Sequence, residues 1–338
     1  MRGNLLPFAL VWLAVSCAGP KLDTPEAVET ARPVWPPAPD QPRIRYVRSI
    51  ATPADLGRSP GGFKRVLSAI TGETGERERF SKPFGLTLDE KGNLCLTDMG
   101  NNAVYYCDLG RKQWRRWLGA GKRPFGSPVA MGRRDGTFYV ADSGLGHLSA
   151  FTEDGRESFT ISSPLQRPAG LAVTADSLIV ADSQAHAIFV FDLRGRMRFR
   201  FGRRGTGPGE FNYPTHVATD KEGHVLITDS LNGRVQVFDA AGKFIAQIGT
   251  AGDAPGSFGR PKGVAADTFG HIYVVDAMFD NVQIFDLKGR LLLGWGEGGT
   301  KPGQFGVPAG IAIGPDNRIY VADSYNRRVQ VFEYIGEE

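Results

Sequence analysis

The sequence predicts an all-β fold: a six-bladed β-propeller with four-stranded blades, the last one completed by a strand from the N-terminal side. Three observations predict it. A strand ending in Asp recurs six times, at Asp98, Asp142, Asp182, Asp229, Asp276 and Asp323, with spacings of 44, 40, 47, 47 and 47 residues. The pattern G-x-x-G-x-x-P-G-x-F-x-x-P occurs three times at a shift of 47, from Gly202 to Pro214, Gly249 to Pro261 and Gly296 to Pro308. The last repeat ends in "VQVFEYIGEE" with no fourth strand, while "RIRYVRSI", Arg43 to Ile50, alternates without a partner ahead of the first repeat. A four-stranded sheet of this size cannot bury both faces alone and must stack on its neighbours around an axis.

Bulk composition agrees. The chain has 338 residues, 41% of them hydrophobic, enough for a large core, and its 44 glycines and 22 prolines favour strands and turns over helices. Lys and Arg total 40 against 36 for Asp and Glu, a net charge of +4 that is too nearly balanced to indicate a nucleic-acid partner.

From the N-terminus, Arg2 and the apolar run Leu5 to Val15 read as an export signal, because the run is too short to span a bilayer. It ends in "LAVSC", which resembles a bacterial lipobox with Cys17 as the lipidated residue, although Ala14 stands where Leu is usual. Residues 18–42 contain seven prolines and read as an extended tether. Residues 43–338 form the propeller. Within them Phe63, Val66, Leu67 and Ile70 are spaced for one short amphipathic helix, placed to cap part of the disc.

Each blade then follows one template. A proline opens an alternating inner strand; a second strand ends in Asp, as in "LCLTD", "FYVAD" or "IYVAD"; a polar turn leads to a third strand such as "AIFVFD" or "RVQVFD". The glycine-rich loops, flanked by arginines in "GRRGTGPGEFNYP", could be taken for a phosphate cradle. Threefold repetition at a fixed period argues instead for a structural connection, with Phe211, Phe258 and Phe305 plugged inward and glycines at positive φ. The Asp at each strand end is expected to accept hydrogen bonds from its own turn rather than to form a ring of metal ligands. In "RGRMRFRFGRRG", Arg196, Arg198 and Arg200 alternate with Met197, Phe199 and Phe201, the pattern of an outer edge strand with a basic face to solvent.

The stretches "RPKGVAADTFGHIYVVD…NVQIFDLKGRLLLGWG" and "VPAGIAIGPDNRIYVADSYNRRVQVFE" resemble NHL repeats, and the resemblance covers residues 43 to 335. It implies a binding scaffold for proteins, RNA or glycans, and less often an enzyme. With the signal and Cys17, it implies an exported, membrane-anchored lipoprotein, monomeric, whose partner is another exported protein or a cell-envelope polymer. No cofactor is implied.

Site candidates come from positions that break the repeat. Two residues after the proline stand Gly85, Ala130, Gly170, His216, Gly263 and Gly310, so one imidazole faces the channel among small residues. On the turns of blades four to six, Asn232, Arg234, Phe279, Asp280, Asn281, Tyr325, Asn326 and Arg328 form a polar and aromatic arc, which together with His216 is the expected binding face. The alternative is a metal-dependent lyase or hydrolase at the channel mouth around His216, since NHL-like lyases hold a metal with histidines from several blades. The chain has five histidines, and no G-x-S-x-G, H-E-x-x-H or C-x-x-C motif. Finally, Cys95 and Cys107 sit on neighbouring strands of the first blade and are expected to form a structural disulfide.

Overall fold

A computed structural model describes residues 32–56 and 79–336. The signal-like segment, Cys17 and the expected helix at residues 63–70 lie outside the described residues. The rest is a ring of six sheets. The first blade runs Pro83–Leu88, Leu94–Asp98, Ala103–Asp108 and Gln113–Trp117 from the axis outward, and four more antiparallel four-stranded sheets repeat that order. The sixth sheet has five strands. Its inner three, Pro308–Ile313, Arg318–Asp323 and Arg328–Tyr334, come from the chain's end, and Ile44–Ile50 pairs outside them with Ile44 opposite Tyr334 and Ile50 opposite Val329. The two ends of the propeller thus share one sheet, which leaves the ring no open seam.

The described end of the Pro-rich segment, residues 32–42, is part of the fold rather than a tether alone. Val34–Trp35 adds a fifth strand beside Ile44–Ile50, and the Trp35 ring packs edge-on against Phe332 at 5.8 Å between centroids. Burying one large aromatic against the closing blade outweighs the disorder that proline-rich composition favours.

The core lies between blades rather than within them. Cys95, Val104 and Tyr106 of the first blade interlock with Met131, Phe138, Val140 and Phe151 of the second. Leu226, Val235 and Val237 of the fourth meet Val264, Ile272 and Val274 of the fifth. The three plug phenylalanines complete such seams, with Phe211, Phe258 and Phe305 at 0%, 1% and 0% exposure. Their loops need glycine for two reasons at once: Gly202, Gly249 and Gly296 have φ of 86°, 70° and 97°, and a Cβ there would lie 2.5, 2.2 and 2.6 Å from the plug ring. The loop is a socket for its own phenylalanine, and one of its arginines, Arg203, pairs with the loop's own Glu210 at 2.9 Å.

The expected disulfide is not formed. Cys95 lies opposite Tyr106, and Cys107 lies opposite Leu94, so the two thiols are out of register by one residue. A slip of one residue sends side chains to opposite faces of a sheet. Cys95 accordingly joins the seam with blade two and Cys107 the seam with blade six, both fully buried and free. Burial pushes both thiols well above their ordinary range. They act as small apolar fillers. Denatured, non-reduced protein carrying Cys17→Ser should therefore titrate two thiols with a chromogenic disulfide reagent, and a count of zero would restore the bond.

Candidate binding site at the channel mouth

Six inner strands line the axis, and their close approach explains the small residues two after five of the six prolines. A Cβ on Gly85 would lie 2.2 Å from Val129 O, one on Gly170 2.6 Å from Thr215 O, and one on Gly310 2.4 Å from Phe84 O. The result is a narrow channel of about 190 Å³, lined by inner-strand backbone and by apolar side chains. At the end where the prolines open their strands it widens into a mouth cavity of about 590 Å³.

The mouth is built from repeat-equivalent positions. The residues before the prolines, Lys82, Ser127, Arg167, Tyr213, Arg260 and Val307, all line it, as do those after them, Phe84, Val129, Ala169, Thr215, Lys262 and Ala309. The residue after the strand-end Asp supplies a third ring. Three of its serines latch adjacent blades: Ser143, Ser230 and Ser324 donate to the carbonyls of Pro168, Pro261 and Pro83 at 2.6, 3.0 and 2.6 Å. Backbone strain gathers at the same rim, where Tyr213 and Val307 hold φ of 58° and 48°. For a β-branched residue that conformation is costly and marks a position fixed by its surroundings.

Under the rim the six aspartates are fully buried, and they hold the loops in place. Asp98 accepts N–H groups of Ser81 and Lys82, just before its blade's proline, and of Gly100 and Asn101 in its own turn. Asp142, Asp182 and Asp276 repeat this fourfold pattern. In blades four and six, side chains replace part of it, which decides the fate of several expected site residues. Arg234 Nε donates to Asp229 Oδ2 at 2.8 Å while its Nη2 holds the carbonyls of Gly207 and Glu210. Arg328 does the same with Asp323, Lys301 and Gln304. Asn232 and Asn326 brace the same loops through Gly205 O and Gly299 O. These four therefore stabilise the glycine-rich loops. Phe279 packs against Gly259, and the Asp280 carboxylate, pushed up by burial, accepts Val307 N–H at 2.7 Å. Asn281 takes the place of the loop-holding arginine in blade five, and its Oδ1 is buried without a partner. Of the expected arc, only His216 and Tyr325 line the mouth.

His216 leaves a carbon edge on the channel, but both ring nitrogens are shut from solvent and hydrogen-bonded to nothing among the described residues. Its ring sits 5.7 Å from Phe84. Burial, with Lys262 nearby, lowers the imidazole pKa to about 3, so it is neutral at physiological pH. Of the other histidines, His186 accepts Tyr213 N–H at 3.3 Å, and His224 and His271 are bonded to Asp220 and Asp267 in turns elsewhere. Sequence reasoning missed Lys82, Arg167, Arg260 and Lys262. The signal was available, since each flanks a strand-opening proline.

Two outcomes test this geometry. Arg234→Ala leaves the Asp229 carboxylate buried without its counter-charge, held only by Asn212, Asn232 and Gln236, and should cost about 3–5 kcal/mol in denaturant unfolding, whereas a solvated arginine would cost under about 1 kcal/mol. An unfolded chain protonates His216 near 6.5 while the folded protein resists to about pH 3. The unfolded state thus holds the extra proton between those values, and the folded protein loses stability as pH falls through that window. His216→Gly, the residue of four other blades, should gain on wild type by up to about 1.4 kcal/mol per pH unit there; a gap independent of pH would refute the buried neutral ring.

Comparisons with known proteins agree with the architecture. A family profile described as a 6-bladed beta-propeller matches residues 159–226 and 221–295, and the NHL repeat profile matches residues 305–332. The Drosophila melanogaster protein brain tumor is 40% identical over 63 residues, 18% of this chain but only 6% of that much longer protein. Among solved structures, a streptogramin B lyase superposes with a TM-score of 0.57 at 14% identity, covering 75% of this chain and 94% of its own. An inactive virginiamycin B lyase from Staphylococcus aureus, crystallised with quinupristin, gives 0.54 at 13%, with 75% and 95% covered. Hydrazine synthase of Kuenenia stuttgartiensis gives 0.55 at 15%, with 75% and 84% covered. At these identities the structures share the fold alone. The repeats, the closed ring and the matching profiles together identify the chain as an NHL-repeat six-bladed β-propeller.

Proposed function

We propose that this chain is an exported, lipid-anchored, non-enzymatic binding propeller that takes its partner, an exported protein or a cell-envelope polymer, at the channel mouth. The observation that carries the reading is the mouth itself: a cavity of about 590 Å³ rimmed by large exposed side chains, Tyr213, Leu231 and Tyr325 at 40%, 62% and 64% exposure. Apolar groups clustered around a concavity are the usual mark of a contact surface. Export and anchoring rest on the N-terminal run and Cys17.

The alternative, a metal-dependent lyase or hydrolase, draws on the lyases among the similar structures and on His216. A catalytic metal needs about three protein donors. Among the described residues, no further His, Cys, Asp or Glu groups with His216 at such spacing, and the one cluster of three, Asp220, Glu222 and His224, belongs to a turn outside the mouth. A photo-cross-linking side chain placed at Tyr325 should capture envelope material, with the product lost on adding Leu231→Asp, while the same group at Met197 on the outer strand captures none. Equal yields from both positions, or stoichiometric metal that His216→Ala releases, would overturn the proposal. Cys17→Ser should in parallel move the protein from the membrane fraction to the soluble one.

A further inference from the structure

The mouth carries charge that nothing among the described residues balances. Lys82, Arg167, Arg260 and Lys262 line the cavity from three blades, and among the described residues no Asp or Glu side chain does. Among the described residues none of the four is in an ion pair. Elsewhere this chain pairs its arginines readily: Arg196 with Asp192 at 2.7 Å, Arg198 with Asp176 at 2.8 Å and Arg290 with Asp286 at 2.6 Å. Two of the mouth cations are held over aromatic faces, Lys262 Nζ at 4.9 Å from the Phe84 ring and Lys82 Nζ at 5.2 Å from the Tyr325 ring. A ring face aims an ammonium without neutralising it.

Holding these groups together opposes their charge. Burial, Arg260 and Lys82 lower the Lys262 ammonium to about 8. The six strand-end aspartates beneath the rim are fully buried with their oxygens taken up by loop N–H groups and by Arg234 and Arg328, so they present no carboxylate to the cavity, and Asp280, which accepts Val307 N–H at 2.7 Å, does not line it. Four of the five serines of the mouth, Ser143, Ser183, Ser230 and Ser324, are spent on carbonyls. Thr215 Oγ1, in contrast, is buried at the cavity wall with no partner, as are the His216 nitrogens beside it. Buried polar atoms without partners are rare in native folds and point to something that completes them.

We propose that the mouth is a receptor for an anionic group, a phosphoryl or carboxylate borne by a larger molecule, seated on Lys82, Arg260 and Lys262 with Arg167 across the opening. This rests on the reading of the mouth as a binding surface and adds the chemistry of what enters it. Unpaired lysine and arginine around a concavity concentrate field and supply charge-assisted hydrogen bonds. The cavity exceeds a bare inorganic anion, and the rings of Tyr213 and Tyr325 at its rim suit the apolar or cyclic body that carries the charge.

Phenyl phosphate and benzoate, titrated calorimetrically into the full chain at low salt, test it. At least one should bind saturably at one per chain and weaken as salt is added. Lys262→Gln should weaken that binding by about tenfold or more, while Arg198→Gln, on the outer strand, leaves it unchanged. Tighter phenyl phosphate assigns a phosphoryl group and tighter benzoate a carboxylate, and either supports the proposal. Binding of neither probe, or equal effects of Lys262→Gln and Arg198→Gln, overturns it. Circular dichroism of each variant separates loss of binding from loss of fold. Should Tyr325 cross-links to envelope material survive Lys262→Gln while neither anion binds, the mouth is a binding surface for a neutral partner and only the anionic assignment fails.

Discussion

A buried carboxylate that ties three chain segments to one point underlies the whole ring. Each strand-end Asp shows no surface, yet none is isolated: the loop before the inner strand donates backbone N–H groups to it, and the turn after the second strand adds further N–H groups, or in blades four and six side-chain donors. Several charge-assisted hydrogen bonds offset the desolvation of one ion, and removing the acceptor would orphan all of those donors at once. This constraint fixes where the proline opens its strand, how far the inner strand stands from its neighbour, and which backbone atoms reach the axis. The serine latches then carry the same geometry from one blade to the next.

The glycine-rich loops show the constraint adapting. Blades four and six have long loops whose carbonyls need donors, and Arg234 and Arg328 supply them while pairing with the same aspartates. Gln236, Gln283 and Gln330 assist, each accepting the N–H of the loop glycine at Gly209, Gly256 and Gly303. Blade five has Asn281 in place of the arginine, and its loop relies on Gln283 and on the Asp276 bonds. Charge in the turns of blades four and six is thus consumed locally in holding their loops.

The architecture was legible because its period is long and repeated: Asp spacing, plug phenylalanines and the unpaired strand at Arg43 to Ile50 each carry the fold independently. The site was legible only in part. His216 stood out as the one large side chain in a ring of small ones, and it does reach the mouth. Arg234 and Arg328 read as binding-face residues because sequence does not show that a loop 24–27 residues earlier returns to them. Cys95 and Cys107 failed by one residue of register, which composition and spacing do not resolve. Val34–Trp35 was hidden by the prolines around it, since its strand is set by the packing of one indole on Phe332.

Lys82, Arg167, Arg260 and Lys262 were passed over for a different reason: no repeat-wide rule singles them out. The residues flanking the prolines contribute backbone to the ring and side chain to the cavity, so the fold specifies their φ and hydrogen bonds but leaves their chemistry open. That is why Lys82, Ser127, Arg167, Tyr213, Arg260 and Val307 differ so widely at equivalent places. Stability in this propeller resides in what repeats, the aspartates, plugs and inter-blade seams. Recognition belongs to the positions the repeat leaves free, and these converge on one opening because every inner strand begins there.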